Sequence, residues 1–574
     1  MRQCTAEKAY FLYTKRADFN RIAQTFGIDP VTARILRNRD VVTDADIDLF
    51  LNGTLADLYD ERLLPNIEAA AERLRAAVHG EKRIRVVGDY DIDGVCATYI
   101  LVTGLARIGA KVDHRVPDRV KDGYGINQRI VEEAAAAGVA MILTCDNGIA
   151  AIEELQAAKE LGLEVIVTDH HDVRQAEDGS ELLPPADVIV SAKLKESRYP
   201  TTDICGAVTA WKLIRVLYRL CGVPDSEWLE LLEFAAIATV GDVMPLRGEN
   251  RIIVKEGLLA MNRGARNLGL RALIAACVLE SRPISCYHIG FVLGPCINAG
   301  GRLKTAELAL ALFFAKTEEA AKRAAEQLKA LNDERKYMTE QGAAEAAELV
   351  EKQYALDSVL VVYLPKLHES LAGIVAGRLK EQFWRPSFVF TDAEDGGLKG
   401  SGRSIEAYHM FNGLCQVAPL LTRFGGHPMA AGLSLPKENL EELRRQLNAN
   451  AQLRAEDLKK KVWIDAAMPL SYVTEKLLNE FERLAPFGTG NEKPVFAEKE
   501  VQVTDLRVLG RDRNVLRMTL REPSGFAMAG IRFCDAEAER AALLKKSSVT
   551  VLYEPQINEF NGRKSLQAVV QDYF

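Results

Sequence analysis

Between residues 83 and 191, short apolar runs alternate with segments whose apolar residues recur at helical spacing. Arg83–Gly88, Lys111–Val116, Ala140–Cys145, Glu164–Thr168 and Asp187–Ser191 have the length and the Val/Ile content of strands. Val95–Ile108, Asn127–Ala137 and Ala150–Leu161 read as the helices between them. This alternation predicts a doubly wound parallel sheet, a fold that places its sites beyond the carboxyl ends of the strands. Upstream, residues 1–60 are helical and mixed, with a helix start at Asp40–Asp44, and Ile67–Val78 is an amphipathic helix. Downstream, Leu229–Val240 is an apolar helix, and residues 304–353 read as one or two long helices connecting two lobes. Strands at Ser358–Leu364 and Ser387–Thr391 flank a helix at Ser370–Phe383 and open a second, smaller α/β lobe. Beyond the polar boundary Asn448–Lys461, five short alternating segments (Val501–Val508, Asn514–Leu520, Ala527–Phe533, Val549–Glu554, Leu566–Val570) predict a small barrel. An OB-fold fits that pattern, and Asn561-Gly562 is a hairpin signal. The predicted segments are therefore 1–60, 61–303, 304–353, 354–455 and 456–574.

The first strand runs into three carboxylates at alternate positions, Asp89, Asp91 and Asp93, before Gly94. If strand geometry persists, the three converge at one strand end. Like charges that close resist ionising together, and a divalent cation is the usual remedy. The pattern repeats along the same predicted edge. The run at 141–145 ends in Asp146-Asn147-Gly148, that at 164–168 in Asp169-His170-His171-Asp172, and the apolar helix in Gly241-Asp242. Each has a plainer reading: Asp146 as a helix cap, Asp242 as a helix-end residue, the histidines as turn residues. Their joint recurrence argues for a metal-dependent site.

The chain of 574 residues is too long for one ordinary core. Its 48% apolar and 27% charged residues describe a globular protein, with no apolar run long enough to cross a membrane and no secretion-type apolar core near Met1. Ten cysteines without CxxC spacing fit reduced thiols in the cytoplasm. A net charge of −7 excludes a broadly basic nucleic-acid coat but not a local basic groove. One such track is predicted in the barrel, where Arg507, Arg511, Arg513, Arg517 and Arg521 accompany Phe526, Phe533, Tyr553 and Phe560.

Asp89-Tyr-Asp-Ile-Asp-Gly94, Asp146-Asn-Gly148, Asp169-His-His171 and Gly241-Asp242 resemble the four successive motifs of the DHH phosphoesterase superfamily. Further segments resemble the RecJ-type single-stranded-DNA-specific exonucleases within it: Asp118-Arg119 with Asp122-Gly-Tyr-Gly125, Asn298-Ala-Gly-Gly-Arg-Leu303, His368-Glu369, Gly400-Ser-Gly-Arg-Ser404, Gly425-Gly-His427 and Pro486-Phe-Gly-Thr-Gly-Asn491. The resemblance runs from about residue 60 to the end. It implies a DHH domain and a DHHA1 domain joined by a helix, followed by an OB-fold. It implies metal-dependent 5′-to-3′ hydrolysis of single-stranded DNA in repair and recombination.

On this basis Asp91, Asp93, Asp146, His170 and Asp242 are expected to hold two Mn²⁺ or Mg²⁺ ions, with Asp146 bridging and Asp89 a ligand or a supporting carboxylate. His171 is expected to contact the scissile phosphate or handle a proton, and Asp169 to orient the His pair. Ser401 and Arg403 would grip a terminal phosphate and His427 the backbone near the cut. Arg119, Asn298 and Arg302 complete the expected substrate contacts. A monomer is expected, with a single-strand-binding protein and a RecQ-type helicase as partners. Two departures stand out: Cys296 occupies a position that is usually Arg in the family, and Ser191-Ala192 replaces a common Asn-Pro. Cysteine cannot fork to a phosphate, so a weaker dependence on a 5′-phosphate is expected. The competing readings are a phosphodiesterase of short oligonucleotides or cyclic dinucleotides, against which the barrel argues, and an inactive DNA-binding scaffold, against which the intact acids argue.

Overall fold

The computed structural model describes residues 6–119, 121–393, 396–560 and 562–574. The chain forms two compact units. Tyr59–Met244 and Gly257–Lys460 make up most of one; Tyr10–Leu58, Pro245–Glu256 and Lys461–Phe574 form the other.

The first unit contains a five-stranded parallel sheet of β1 (Arg83–Val87), β2 (Lys111–Arg115), β3 (Met141–Cys145), β4 (Glu164–Thr168) and β5 (Val188–Val190), in the order β2-β1-β3-β4-β5. All five predicted strands are present to within a residue at each end. The order reverses between β1 and β3, the point at which this fold opens a crevice for ligands. Helix α1 (Ile92–Arg107) starts three residues before the predicted Val95, and Asp91 is the cause. Its Oδ1 accepts the Asp93 and Gly94 amides at 3.0 and 3.1 Å, which caps the helix. The three acids therefore do not continue a strand. β1 stops at Val87, Asp91 is the cap, and Asp93 lies in the first helical turn.

Helices α2 (Gln128–Ala136) and α3 (Ile152–Glu160) cover one face of the sheet, where Ile130, Val131 and Leu155 join Val87, Ile142 and Val165 in one core. Helix α4 (Gly206–Cys221) packs on α1, and α5 (Leu232–Gly241) packs on both. Then follow α6 (Leu268–Ala276), α7 (Gly294–Leu303), α8 (Glu307–Phe313) and α9 (Glu318–Gln353). The predicted helical stretch over 304–353 is thus two helices, and α9 does more than connect. Its N-terminal half packs on α6 and α7, while Ala346 and Val350 enter the core of the second lobe.

That lobe holds β6 (Leu360–Tyr363), α10 (Ala372–Phe383), β7 (Ser387–Asp392), β8 (Leu398–Arg403), β9 (Arg423–His427) and β10 (Ala430–Leu435), with sheet order β9-β10-β8-β7-β6. The two glycine-rich segments are strands rather than turns. A Cβ on Gly400 would lie 2.3 Å from the Phe390 ring, and one on Gly402 would lie 2.5 Å from Met410 Sδ. Glycine here admits the large residues that fill the lobe.

In the second unit, β11 (Phe496–Leu509), β12 (Val515–Arg521), β13 (Ala527–Phe533), β14 (Val549–Phe560) and β15 (Arg563–Tyr573) run β11-β12-β13-β15-β14, and β14 pairs back onto β11. This closed barrel is an OB-fold. β11, β14 and β15 are longer than the sequence pattern predicted: β11 bends at two irregularities and serves both neighbours, and β14 and β15 pair with each other from Val551–Tyr573 to Phe560–Arg563. Asn561 of the predicted hairpin lies outside the described residues. Helices Phe19–Phe26, Pro30–Asn38 and Asp44–Asn52 share the barrel's core: Ile22, Ile35, Leu36 and Phe50 join Leu516, Met518 and Val551. Thr43, in the predicted helix start, caps the last of these. A buried Arg39–Asp465 pair at 2.7 Å ties the helical segment to the barrel segment. Among the described residues no helix is long and apolar enough to cross a membrane.

Candidate active site

The carboxyl ends of β1, β3 and β4 and the end of α5 deliver Asp89, Asp146, Asp169-His170-His171 and Asp242 to the β1/β3 crevice. His170 is the hub. Its Nε2 lies 3.0 Å from Asp146 Oδ1, 3.5 Å from Asp93 Oδ2 and 3.6 Å from Asp242 Oδ2. The donor atoms form two groups that share His170, Asp146/His170/His171 and Asp93/His170/Asp242, each within 4.8 Å.

Local structure fixes these side chains. Asp93 is buried against the first turn of α4, where its two oxygens accept the Gly206 and Ala207 amides at 2.6 and 2.8 Å. A helix N-terminus favours a negative charge at this point. Asp146 caps no helix; it sits at φ +60°, a conformation that Asp tolerates better than most residues. Asn147 anchors that bend by donating to the Val87 and Cys145 carbonyls at 3.1 and 2.9 Å. Asp169 accepts the Ile149, His170 and His171 amides and pairs with His171 Nδ1 at 2.8 Å. Asp89 accepts the Gly125 amide at 3.1 Å. Asp89 Oδ2 and Asp242 Oδ2 are buried and find no hydrogen-bond partner among the described residues.

The electrostatics is that of an uncompensated acid cluster. Burial, then the charge of Asp91, pushes Asp89 well above the carboxylate range. Burial, then Asp93, Asp91, Asp89 and Asp242, does the same to Asp146. Asp242 rises to about 8 through burial, then Asp93 and Asp91. Burial depresses His170. Burial also acts against the His171 cation, but the hydrogen bond and charge of Asp169 outweigh it and lift His171 to about 9. Buried carboxylate oxygens without donors, crowded around an imidazole, are a donor set for a hard divalent cation such as Mn²⁺ or Mg²⁺. Zinc sites with thiolate donors do not fit, because the nearby cysteines Cys96, Cys145 and Cys205 have thiols raised by burial.

Beside the acids, Tyr90, Arg119, Tyr124, Arg302, Ser401 and Arg403 line a cleft of about 550 Å³ formed by both lobes of the first unit. Arg119 lies over the Tyr90 ring, 4.6 Å from its centre. Arg302 donates to the Ser370 carbonyl at 3.1 Å, and Arg403 to the Gly402 carbonyl at 2.7 Å and to Ser401 Oγ at 3.2 Å. Burial, then Arg119, Arg335 and Arg403, brings Arg302 down to about 9. Burial and Arg119 also depress Arg403. Guanidiniums held this close favour an anion between them.

The predicted residues do not all converge. Asp93, Asp146, His170, His171 and Asp242 meet directly; Asp89 and Asp91 act on them from the margin. Asn298 is on α7, but neither it nor Cys296 lines the cleft. His427 is exposed at the end of β9, within electrostatic reach of Asp172. Two participants went unassigned in the sequence. Tyr124, part of a quoted motif, donates to the Asp146 carbonyl at 2.5 Å and lies 3.1 Å from His171 Nδ1. Gly206 lets α4 approach the acids; its only sequence signal is a glycine opening an apolar helix. In the barrel, Arg507 and Arg517 stand opposite each other on the exposed face and Phe526 and Phe533 are exposed. Tyr553 is core, its hydroxyl bonded to the Met468 carbonyl at 2.8 Å. The Phe560 side chain lies outside the description.

Three family models match the chain: the DHH family N-terminal domain over residues 83–239, the DHHA1 domain over 356–453 and the RecJ OB domain over 464–572. The single-stranded-DNA-specific exonuclease RecJ of Bacillus subtilis is 35% identical over 96% of this chain and 69% of its own length. The chain belongs to the RecJ family. The Escherichia coli RecJ exonuclease is 31% identical over 95% of this chain and 96% of its own. The crystal structure of Thermus thermophilus RecJ in complex with Mn²⁺ superposes with a TM-score of 0.84 at 28% identity, covering all of this chain and 80% of that one. The two α/β lobes and the barrel of this RecJ-family chain are thus those the sequence pattern predicted.

Proposed function

We propose that this chain is a metal-dependent exonuclease that hydrolyses the phosphodiester bonds of single-stranded DNA from the 5′ end. The observation that carries the reading is a buried acid–imidazole cluster that opens directly beside a guanidinium-lined cleft. Relatives named as single-stranded-DNA-specific exonucleases, and a related structure holding Mn²⁺, support it.

Asp93, Asp146, His170 and Asp242, with Asp91 at their margin, would hold Mn²⁺ or Mg²⁺. Bound there, such ions supply Lewis acidity and lower the pKa of a coordinated water. Asp169 keeps the His171 ring turned with Nδ1 inward, so that its other nitrogen can meet a phosphate oxygen or carry a proton. Arg119, Arg302, Ser401 and Arg403 would hold a terminal or adjacent phosphate, and His427 the backbone nearby. Cys296 is buried against Cys277 and does not line the cleft, so the weaker 5′-phosphate dependence expected from it has no support in the site's geometry. The paired arginines and exposed phenylalanines of the barrel suit a strand without sequence preference. A role in repair and recombination, a monomer, a cytoplasmic location, and a single-strand-binding protein and RecQ-type helicase as partners complete the proposal.

The test is digestion of end-labelled single- and double-stranded oligonucleotides with Mn²⁺, Mg²⁺ or chelator. Ladders from the 5′ end, on single strands and only with metal, are expected. Activity confined to dinucleotides, or none with any cation, would overturn the reading.

A further inference from the structure

Away from the acid cluster, two thiols face each other. Cys277 ends α6 and Cys296 lies in the first turn of α7, with their sulfurs 3.8 Å apart. Cys296 is fully buried, whereas Cys277 is partly exposed. We propose that Cys277 and Cys296 form a reversible disulfide that acts as an oxidant-sensitive brake on the phosphate cleft. The existence of the bond stands on its own geometry; its consequence for catalysis rests on the nuclease reading above.

The environments of the two sulfurs assign their roles. A hydrogen bond from Cys296 holds the Cys277 thiol below its ordinary range against burial; the Lys329 ammonium, itself paired with Asp333 at 2.6 Å, adds to this and Asp333 opposes it. The Cys296 thiol is pushed up. An accessible thiol beside a cation is the more reactive of a pair. The Cys277 thiolate attacks one oxygen of hydrogen peroxide, giving a sulfenic acid and hydroxide. The Cys296 sulfur then attacks the sulfenic sulfur, the S–S bond forms, and water leaves with the Cys296 proton. Two electrons pass from the sulfurs to the peroxide, and an external dithiol returns them by thiol–disulfide exchange.

Bond formation draws the two helix ends together to the extent that side-chain rotation does not close the gap. A disulfide spans about 2.05 Å, so the sulfurs close by roughly 1.8 Å. The α7 backbone has little slack: a Cβ on Gly301 would lie 2.4 Å from the Tyr90 carbonyl, and one on Gly294 2.7 Å from the Ile289 carbonyl. Helix α7 is entered through a π-helical turn at Ile289–Leu293, an irregularity in the helix that leads to Cys296. A pull on Cys296 therefore travels along α7 to Arg302, whose guanidinium lies in the cleft. A shift of Arg302 by ~1 Å would cost on the order of 10²-fold in rate.

The experiment treats the full chain with hydrogen peroxide and maps its peptides without reduction. The expected product is a Cys277–Cys296 linked peptide, lighter by two hydrogens and reversed by dithiothreitol. Hydrolysis of a 5′-phosphorylated single strand should fall on the order of tenfold or more and recover on reduction. Binding of the same strand in chelator is read alongside, so that loss of grip is seen without turnover. Cys277→Ser should keep the rate of the reduced protein and lose the oxidant response. Absence of the linked peptide under conditions that oxidise the exposed Cys415 would overturn the proposal. So would a linked peptide with unchanged rate and binding. A linked peptide with weakened binding, in a chain that shows no nuclease activity even when reduced, would uphold the pair and overturn the nuclease reading instead.

Discussion

Replacing Gly206 with alanine puts a methyl group where the structure has no room for one. Built onto the backbone, that Cβ lies 2.7 Å from Asp146 Cβ, 2.9 Å from Asp146 Cα and 3.1 Å from Asp93 Oδ2, where 3.4–4 Å is ordinary contact. Relief requires the α4 N-terminus and the Asp146 bend to part by about 1 Å, a displacement that costs on the order of 10²-fold when it falls on catalytic groups. The same movement stretches the 2.6 Å bond from the Gly206 amide to Asp93. Stability should change far less. Overpacking costs about 1–3 kcal/mol, and alanine regains up to about 1 kcal/mol of helix propensity. Gly290→Ala, where the added Cβ meets nothing within 4 Å, is the control for propensity alone. The assay pairs the Mn²⁺-dependent rate on a single-stranded oligonucleotide with calorimetric titration of the metal and a thermal melt. The expected result is a rate down about 10²-fold with weaker metal binding and a melt lowered by a few degrees at most. A variant with wild-type rate and metal affinity would refute the claim that α4 sets the spacing of the acids.

Asp146→Asn suits the φ +60° bend and removes one charge from the crowded cluster. The metal-free melt should not fall, the rise in melting temperature on adding Mn²⁺ should disappear, and the rate should drop by more than the ~100-fold typical of outer partners; retention of the normal rate with Mn²⁺ would remove Asp146 from the ligand set. Arg302→Gln takes away a cation that burial and three other guanidiniums disfavour. Losing a charge-assisted contact worth about 1.5–3 kcal/mol lowers kcat/KM about 10- to 150-fold while the melting temperature holds or rises; an unchanged kcat/KM on 5′-phosphorylated strands would contradict a phosphate role. Arg39→Ala leaves the Asp465 carboxylate buried without its guanidinium, which costs about 3–5 kcal/mol in the second unit; a denaturant melt that is unmoved would show that the helices do not depend on that pair.

Much of this protein was legible as a sequence. Near-continuous apolar runs that lead into Asp or Asp-His-His place strands and acids together, because a strand buried on both faces is mostly apolar (buried Arg85 of β1, paired with Asp113, is an exception) while its carboxyl end opens onto the crevice. Local pattern was less able to find a boundary set by one side chain. Asp91 starts α1 at Ile92, a capping bond that apolar periodicity cannot report. Gly400 and Gly402 resemble turn residues until Phe390 and Met410 are seen to fill the space above them. What only the tertiary structure decided is what lies beside what. The N-terminal helices share a core with a barrel more than 400 residues away in sequence, and Arg302 on α7 comes to the same cleft as Ser401 and Arg403 on β8. Cys277 meets Cys296, and two amides of α4 hold Asp93. Sequence determines periodicity and chemistry along the chain. Contacts between residues far apart along it depend on how whole elements pack, and no stretch of sequence carries that information by itself.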